Sequence, residues 1–588
     1  MKKGWFPKDE SISEPFGKID YLCGLLVLFI SFGVYLHTLT PTVGFHDSGE
    51  LITVAYTLGI AHPPGYPLYT LFGNLFITLI PIGNIAYRMN MESALFASLA
   101  VMMTYFIILK LSIINYQLSI IRIIPSVVAA LILAFSATFW EQAVIAEKYT
   151  LNAFFFTLII FILLKWQETQ NSKLKTQNYL YLFAFLLGLS FCHHFQTIYL
   201  VPGSIFFILA TSLRKSKVKS QKLKVENFFK KFTFYILHFT FFILLFLLPL
   251  TLWCYLPLRA LQDPVLNWGD PDTLGKFFDH ITAKHYQAYF VTSPKVLLQH
   301  LKIHIPFFSQ QFPLYILWLS GIGLFFLAKK IKVLLFFLLI IGVNTLHSIR
   351  FNIPNIYDMY YIPSFILFSI FIGLGITGLS RKPALSFLFL ILPFVLMAKN
   401  YEIRNKSSYY LAYDVGDNIL RTTGDAPVIF ESSDITGFPL FYHQQVLKKR
   451  PELIQVTLSF LGHPWYPILL QKTYPKEFSF SISEQTSVLS LDSYLHGFIE
   501  HNIAAHSIYI DSPDLIWSWP LVPAGLLFKA QFGNESIPDI SYRIRIPKGH
   551  KDKNAEITLK NYVIAYNYLG KQKEAEAIQR SLLAKIQK

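Results

Sequence analysis

P-T-V-G-F-H-D-S-G-E-L-I-T-V-A-Y-T-L-G-I-A-H-P-P-G-Y-P-L-Y, from Pro41 to Tyr69, sets two carboxylates, Asp47 and Glu50, and one imidazole, His62, just after an apolar run. That run, Tyr21–Leu39, is long enough to cross a hydrocarbon core of about 30 Å at about 1.5 Å per helical residue. The acids therefore stand in the first loop at a membrane surface, where a carboxylate serves either chemistry or helix capping. Asp47-Ser48-Gly49-Glu50 has capping-box spacing, with Asp47 expected to accept from the first-turn N–H groups and Glu50 to reach back. Leu51, Val54, Ala55 and Leu58 recur at helical spacing and Gly59 suits the C′ position, which predicts a short helix lying apolar face down on the membrane. Two acids one turn apart repel, so one of them is expected to have a raised pKa. His62-Pro63-Pro64-Gly65 reads as a rigid turn whose prolines are explained by chain geometry alone, while His62 is not.

Working outward, the chain has 588 residues, 53% hydrophobic and only 15% charged, against about 25% charged in an ordinary soluble protein. With a mean hydropathy of +0.43, this is the composition of a polytopic membrane protein. Further apolar runs at Tyr87–Leu111, Ile124–Trp140, Leu151–Lys165, Tyr179–Cys192, Thr197–Leu213, Phe232–Pro257, Phe312–Ala328, Val333–His347, Tyr361–Leu379 and Ala384–Ala398 bring the expected spans to about eleven. The first is read as a retained span, since no small-residue cleavage site follows it. Cys23, Cys192 and Cys254 all fall in apolar runs and are expected to be small buried hydrophobes; neither a zinc site nor a disulfide framework is implied.

Alternate threading places Lys165 with Lys173 and Lys175, the Arg214–Lys231 cluster, Lys329 to Lys332 and Arg381-Lys382 on one side, which the positive-inside rule makes cytoplasmic. The net charge of +16 is thereby accounted for as topology, and nucleic-acid binding, which needs a folded basic face, is not expected. Asp47, Glu50, His62, Glu147, the pair His193-His194, the loop carrying Arg259 and everything after Asn400 fall on the other side. Arg350 and Asp358 flank a turn there as well. Ionisable groups at membrane depth are functional candidates. Adjacent histidines rarely share one ion, so no metal is expected, and no cofactor.

After Asn400 the pattern changes. Ala426–Glu431, Leu453–Phe460 and His506–Asp511 read as strands, alternating with helical Gly437–Leu447 and D-S-Y-L-H-G-F-I-E, which predicts a small α/β layer. Asn561–Ala584 reads as a helical hairpin like a single tetratricopeptide unit, suited to cap that layer because one repeat cannot bury its own face. The expected organisation is a transmembrane catalytic domain over 1–399 and an extracytoplasmic α/β domain over 400–588. Asn405-Lys406-Ser407 and Asn534-Glu535-Ser536 are N-glycosylation sequons in that second part.

The Pro41–Tyr69 stretch, continued by W-E-Q-A-V-I-A-E-K-Y-T-L-N, L-G-L-S-F-C-H-H-F-Q-T, Y-L-P-L-R-A-L-Q-D-P-V-L-N-W-G-D-P and S-S-D-I-T-G-F-P-L-F-Y, resembles a large, mostly bacterial multi-pass family. That family includes the animal transmembrane O-mannosyltransferase acting on TIG domains of plexin-type receptors, and its architecture is similar to that of GT-C glycosyltransferases. The resemblance implies a lipid-phosphate-linked sugar donor (polyprenyl or dolichyl), Asp47 as catalytic carboxylate with Glu50 beside it, and Glu147 at a second acidic position. The residues alone fit that chemistry: a base for an acceptor hydroxyl, Asp47, and cations for a phosphate leaving group, with Arg259, Lys148 and His194 as candidates and His62 and Glu147 alongside. One base facing the leaving group across the sugar predicts inversion. The expected acceptor is a Ser/Thr hydroxyl of an exported protein, and the expected location the bacterial inner membrane, or the endoplasmic reticulum in a eukaryote. A lipid or polysaccharide acceptor, a lipid-linked-sugar transporter using the acids as proton relays, and a receptor or scaffold are the alternatives.

Overall fold

The structure is a computed structural model that describes residues 16–112, 120–171, 173–216, 225–352, 358–380, 383–479, 491–516, 518–531, 540–546 and 553–586. Most of the basic cluster after Arg214, the pair Arg381-Lys382 and the sequon at Asn534 lie outside these residues.

Helices dominate the first two thirds. The first four are α1 (Lys18–His37), α2 (Ser48–Thr57), α3 (Pro67–Leu79) and α4 (Ile85–Leu111). Among the described residues seven helices are long and apolar enough to cross a membrane: α1, α4, Tyr149–Glu168, Phe195–Ser212, Ile236–Ala260, Asp358–Leu379 and Ala384–Arg404. An eighth is obtained if Ile120–Ala134 and Ala137–Ala143, bent by 69° to one another, form one broken span. The bend falls at Phe135-Ser136, where the Ser136 hydroxyl donates back to the Leu133 carbonyl at 2.8 Å and interrupts the helical ladder. The other three expected spans are helical as well, in Lys173–Phe191, Leu314–Leu327 and Ile331–Arg350.

The helices pack around one apolar cluster built from α1, α4, Ile120–Ala134, Tyr149–Glu168 and Ile362–Leu379, while α1 and Val225–Leu250 expose Leu22, Phe29, Leu237 and Phe239. Outward-facing apolar side chains on a helical bundle mark a lipid-facing surface. Cys254 is exposed and Cys23, packed at the margin of the core, only partly buried, so the expectation of three buried thiols holds for Cys192 alone.

At one end of the bundle basic groups tie helix ends together: Lys110 pairs with Glu168 and Lys330 donates to the Leu111 carbonyl at 3.0 Å. At the opposite end lie α2, the 141–148 turn, the His193-His194 turn and the whole C-terminal layer. That layer holds a five-stranded sheet, β1 (Pro427–Glu431), β2 (Ile454–Thr457), β3 (Ser507–Ile510), β4 (Leu521–Ala524) and β5 (Leu527–Ala530), in the order β2-β1-β3-β5-β4. The first three are parallel, in register Phe430↔Val456 and Phe430↔Ile510. The expected strands are thus present, shorter than the apolar runs suggested. β4 and β5 form an additional antiparallel hairpin. Pro523 is tolerated in β4 because that strand is at the sheet edge. The C-terminal helices Lys553–Tyr568 and Gln572–Ile586 bury Leu559, Tyr562, Ala565 and Ile578 against the layer, as a capping hairpin should.

The layer is packed directly on the membrane-proximal acidic loop. Phe438, Phe441, Tyr442 and Val446 share one apolar cluster with Val43, Leu51, Ile52 and Val54, and Phe45 belongs to the cluster of the C-terminal helices. Gly49 makes this possible: a Cβ there would collide with the backbone carbonyl of Phe438, so only glycine lets α2 meet the Asp434–Phe441 helix at this distance. Consequently α2 is not an amphipathic helix lying on the membrane. Every residue from Ser48 to Ala55 is buried, because helices of the bundle cover one face and the C-terminal layer the other.

Candidate active site

The capping box expected at α2 does not form. Asp47 is at the N-cap position, but its side chain makes no cap hydrogen bond; a closer and stronger partner takes it. The Lys148 ammonium, at the start of the Tyr149–Glu168 helix, is ion-paired with Asp47 Oδ2 and lies 3.4 Å from Glu147 Oε2. Glu147 in turn accepts from the Asp47 backbone N–H at 3.2 Å. A full positive charge in a buried setting outcompetes the partial charges of helix N–H groups.

Glu50 is likewise turned away from the helix end. It accepts from the His62 backbone N–H and from His62 Nδ1, both at 2.7 Å, and is fully buried. His62 Nε2 then faces the Tyr66 hydroxyl at 3.0 Å and Asp47 Oδ2 at 3.8 Å. The result is a relay, Glu50–His62–Asp47/Tyr66, in which a buried carboxylate fixes an imidazole and the imidazole fixes the next acid. The turn bearing His62 needs Gly65, whose φ is +95° and where a Cβ would approach His280 Nε2 to 2.9 Å. The left-handed residue ending α2 is Leu58, φ 52°, and not Gly59. A Cβ at Gly59 would approach the Leu266 carbonyl to 2.8 Å, so glycine stands there for close backbone approach.

Burial pushes the Asp47 carboxyl up, but Lys148 and His62 outweigh it and hold the group well below the ordinary carboxylate range. Burial would deprotonate Lys148, yet Asp47 and Glu147 keep its pKa well above 10.5. His62 is raised, burial being overcome by Glu50 and Asp47. Of the acids here Glu147 is raised, first by burial and then by Asp47 against the pull of Lys148. The expected repulsion between Asp47 and its acidic neighbour on α2 therefore does not raise Asp47, because the ammonium of Lys148 stands against it.

Aromatic rings wall in the ammonium: Lys148 Nζ is 5.7 Å from the Tyr66 ring centre and 5.1 Å from that of Tyr149. His194 stacks on Tyr66 with ring centres 5.7 Å apart. Its Nδ1 accepts from the Gln196 backbone N–H, and burial, His193 and Lys148 hold its pKa well below the usual histidine value. His194 is thus a neutral imidazole with its proton on Nε2, able to donate a hydrogen bond to a phosphate oxygen but not to serve as the cation expected from sequence. His193 Nε2 bonds the Lys148 carbonyl at 2.8 Å and positions the lysine backbone.

Arg259 is not brought to this cluster. Its Nε donates to the Leu58 carbonyl at 2.6 Å and one terminal nitrogen to the Thr57 carbonyl at 3.3 Å. It therefore caps the C-terminal end of α2, about 15 Å along the ten-residue helix from Asp47 at about 1.5 Å per residue. Arg350 lies over the Phe290 ring, and Asp358 bonds Thr138 and Gln311; these two do not meet each other.

Asp47, Glu50 and His62 present ligand atoms within 4.8 Å of one another, a spacing that could hold a divalent ion. In this structure Asp47 is paired with the Lys148 ammonium and His62 with Glu50.

Asp434, a residue without a role in the sequence pattern, joins the cluster, within reach of the charges of Asp47, Glu50 and His62. It lies in the first turn after β1, at the carboxyl edge of the parallel strands. There β1 runs to β2 on one side and neighbours β3 on the other, the crevice where α/β sheets place ligands. Asp511 closes this edge by accepting from the Ser432 N–H and hydroxyl, each at 2.8 Å. Loss of hydration, and then the charges of Asp47 and Glu50, push the Asp434 carboxyl up to about 6. Being raised, it is protonated below that pH and gains its charge above it. The wild-type pH–rate profile is therefore expected to show a limb near pH 6 that disappears in Asp434→Asn; an unchanged limb would remove Asp434 from the working site.

Residues 47–218 match the family model described as the N-terminal domain of protein O-mannosyl-transferase TMEM260. The chain is 30% identical over 277 residues to the protein O-mannosyl-transferase TMEM260 of Mus musculus, covering 47% of this chain and 36% of the relative. It is 23% identical over 541 residues to the Dictyostelium discoideum protein of the same name, covering 83% and 63%. The chain thus spans between about a third and two thirds of the length of these curated relatives. Among solved structures it is similar to ArnT from Cupriavidus metallidurans in the apo state, with a TM-score of 0.49 and 10% identity over 87% of this chain and 97% of that one. The family that the sequence motifs resemble is thus the family whose model matches this chain, over the stretch that runs from Asp47 through Glu50, His62, Glu147 and Lys148 to His194.

Proposed function

We propose that this protein is a multi-pass membrane glycosyltransferase. It moves a sugar from a polyprenyl- or dolichyl-phosphate donor to a Ser/Thr hydroxyl of an exported protein, with inversion. The observation that carries this reading is the Asp47–Lys148 pair, buried at one end of the bundle, backed by Glu147 and by the Glu50–His62 relay, and lying inside the stretch matched to an O-mannosyl-transferase family. The two curated relatives are both named protein O-mannosyl-transferases, which supports mannose and a protein acceptor.

The pair suggests how the reaction is timed. With no donor bound, Lys148 neutralises Asp47, and a carboxylate held far below its ordinary pKa is a poor base. A phosphate entering beside Tyr66 and Tyr149 competes for the ammonium, and His194 Nε2–H can donate to the same group. As Lys148 turns to the phosphate, Asp47 loses its partner and becomes basic enough to take the acceptor's hydroxyl proton. The acceptor oxygen then attacks the anomeric carbon from the face opposite the phosphate, the sugar–phosphate bond breaks, and the lipid phosphate leaves paired to Lys148. Deprotonation thus follows donor binding.

In this reading about eleven spans form the catalytic part over 1–399. The layer over 400–588, on the extracytoplasmic side with Asp47, closes the site from above. The test is intact-mass comparison of exported proteins from cells with and without the gene. One or a few proteins lighter by a hexose in the deletion strain are expected. Unchanged proteins together with an altered surface lipid or polysaccharide would replace the protein acceptor by one of those.

A further inference from the structure

A cleft of about 920 Å³ of open space, its mouth included, lies between the Asp263–Trp268 loop and the C-terminal layer. None of its lining residues belongs to a candidate span, so whatever fills it comes from the aqueous side and not from the bilayer. Its inner wall is Trp268, and the Trp268 ring is 6.0 Å from that of His62. The cleft therefore ends one side chain away from the reaction centre.

Its floor is one face of β2. Gln455 and Thr457 are two residues apart on that strand and so point the same way; both line the cleft and both bond the buried Glu431 Oε1. β2 is one of the two edge strands of its sheet. Three polar atoms in the walls, Asn267 Oδ1, Trp268 Nε1 and Gln455 Oε1, have no hydrogen-bond partner among the described residues. They are two acceptors and one donor, the complement of a main chain that offers N–H and C=O in alternation. Asp263 is the charged residue in the lining, and Lys472 at 2.6 Å neutralises it, so the occupant need carry no charge there.

A sugar chain would call for a flat, open ring face. Here Phe460 and Trp465 both pack edge to face on Tyr466 and are tilted to one another, at 45° to 85° with centres 5.2–5.6 Å apart, and each of the three is no more than 9% exposed. Leu469, Leu470 and Pro264 complete an apolar lining suited to aliphatic side chains.

We infer that this cleft binds an uncharged, extended segment of the acceptor polypeptide and thereby delivers the neighbouring Ser/Thr hydroxyl past Trp268 to Asp47. The inference rests on the transferase reading above.

Thr473, exposed at the rim, is the place to test it. In the full chain in native membranes, the photo-crosslinking substitution Thr473→p-benzoylphenylalanine is expected to capture peptides that carry a hexose on Ser or Thr within about ten residues of the crosslink, a stretch of at most about 35 Å. In parallel, Thr473→Trp, which fills the cleft, is expected to raise the acceptor KM about tenfold, roughly the loss of one good contact, while hydrolysis of a polyprenyl-phosphate hexose by water stays at the wild-type rate. Crosslinks to a saccharide or lipid, crosslinks far from any hexosylated residue, no crosslinks, or an unchanged acceptor KM would overturn the assignment while leaving the transferase standing. Absence of hexose from every exported protein would remove the protein-acceptor reading and this inference with it.

Discussion

Asp47→Asn is expected to abolish sugar transfer, by at least about 10³-fold in turnover, while the protein inserts and folds as before. The size follows from removing the base of a reaction whose acceptor is a hydroxyl with no other means of losing its proton, together with a charge beside the reacting centre. Survival of the fold follows from the remaining partners. Lys148 keeps Glu147 at 3.4 Å, so the buried ammonium is not stranded, and the Asp47 side chain is 28% exposed, where losing an ion pair costs less than in a dry core. The Asn amide still fits the space. Retained mass and membrane insertion together with lost transfer, measured on purified protein with a polyprenyl-phosphate hexose, are the expected pair of results. Transfer within a factor of three of wild type would remove Asp47 as the base.

The parts of this site that were legible in the sequence are those whose positions are local. Asp47, Glu50 and His62 sit in one 29-residue stretch, and the charge bias of the other loops was enough to put Glu147, Lys148 and the His193-His194 turn at the same end. The strands of the C-terminal layer and its helical hairpin also announced themselves by apolar runs and a glycine turn. What pattern could not supply is which polar group wins a partner. Asp47-Ser48-Gly49-Glu50 is a sound capping box by spacing, and it fails because Lys148 arrives from 101 residues away with a whole charge. Arg259 read as a phosphate ligand by residue type and by the side of the membrane its loop falls on, and in three dimensions it is spent on the last carbonyls of α2. Asp434 comes to the site because Gly49 lets the C-terminal layer press against α2, and Trp268 because Gly59 lets the Leu266–Trp268 backbone pair with Ile60, both tertiary facts. The motif S-S-D-I-T-G-F-P-L-F-Y, shared with the first loop's family, was the available hint that the layer belongs to the site.

Lys148→Met should be nearly as damaging as loss of Asp47, for a different reason that kinetics can separate. The ammonium is 3% exposed and does two jobs in the proposed cycle: it keeps Asp47 ionised and unreactive without donor, then follows the phosphate. Removing it leaves the partly exposed Asp47 and the buried Glu147 with no ammonium between them. Their pKa values then rise, since burial already pushes both up and only Lys148 and the histidines oppose it. A carboxylate held far down is stabilising above its unfolded pKa of about 4 and loses that contribution as pH falls. The wild-type pair therefore adds stability at neutral pH that the variant lacks, and the variant's melting temperature should fall less steeply on acidification. Turnover is expected to drop by about 10²–10³-fold, the usual worth of one preorganised group at a developing negative charge, with weaker binding of the lipid phosphate. Lys148→Arg should restore binding better than turnover, because a guanidinium holds phosphate in a fixed fork and cannot hand its charge between two acids as a compact ammonium can. Should Lys148→Met bind and turn over the donor like wild type, with an unchanged pH dependence of stability, the exchange of one cation between Asp47 and phosphate would have to be abandoned, and the phosphate would need another partner than the one walled in by Tyr66 and Tyr149.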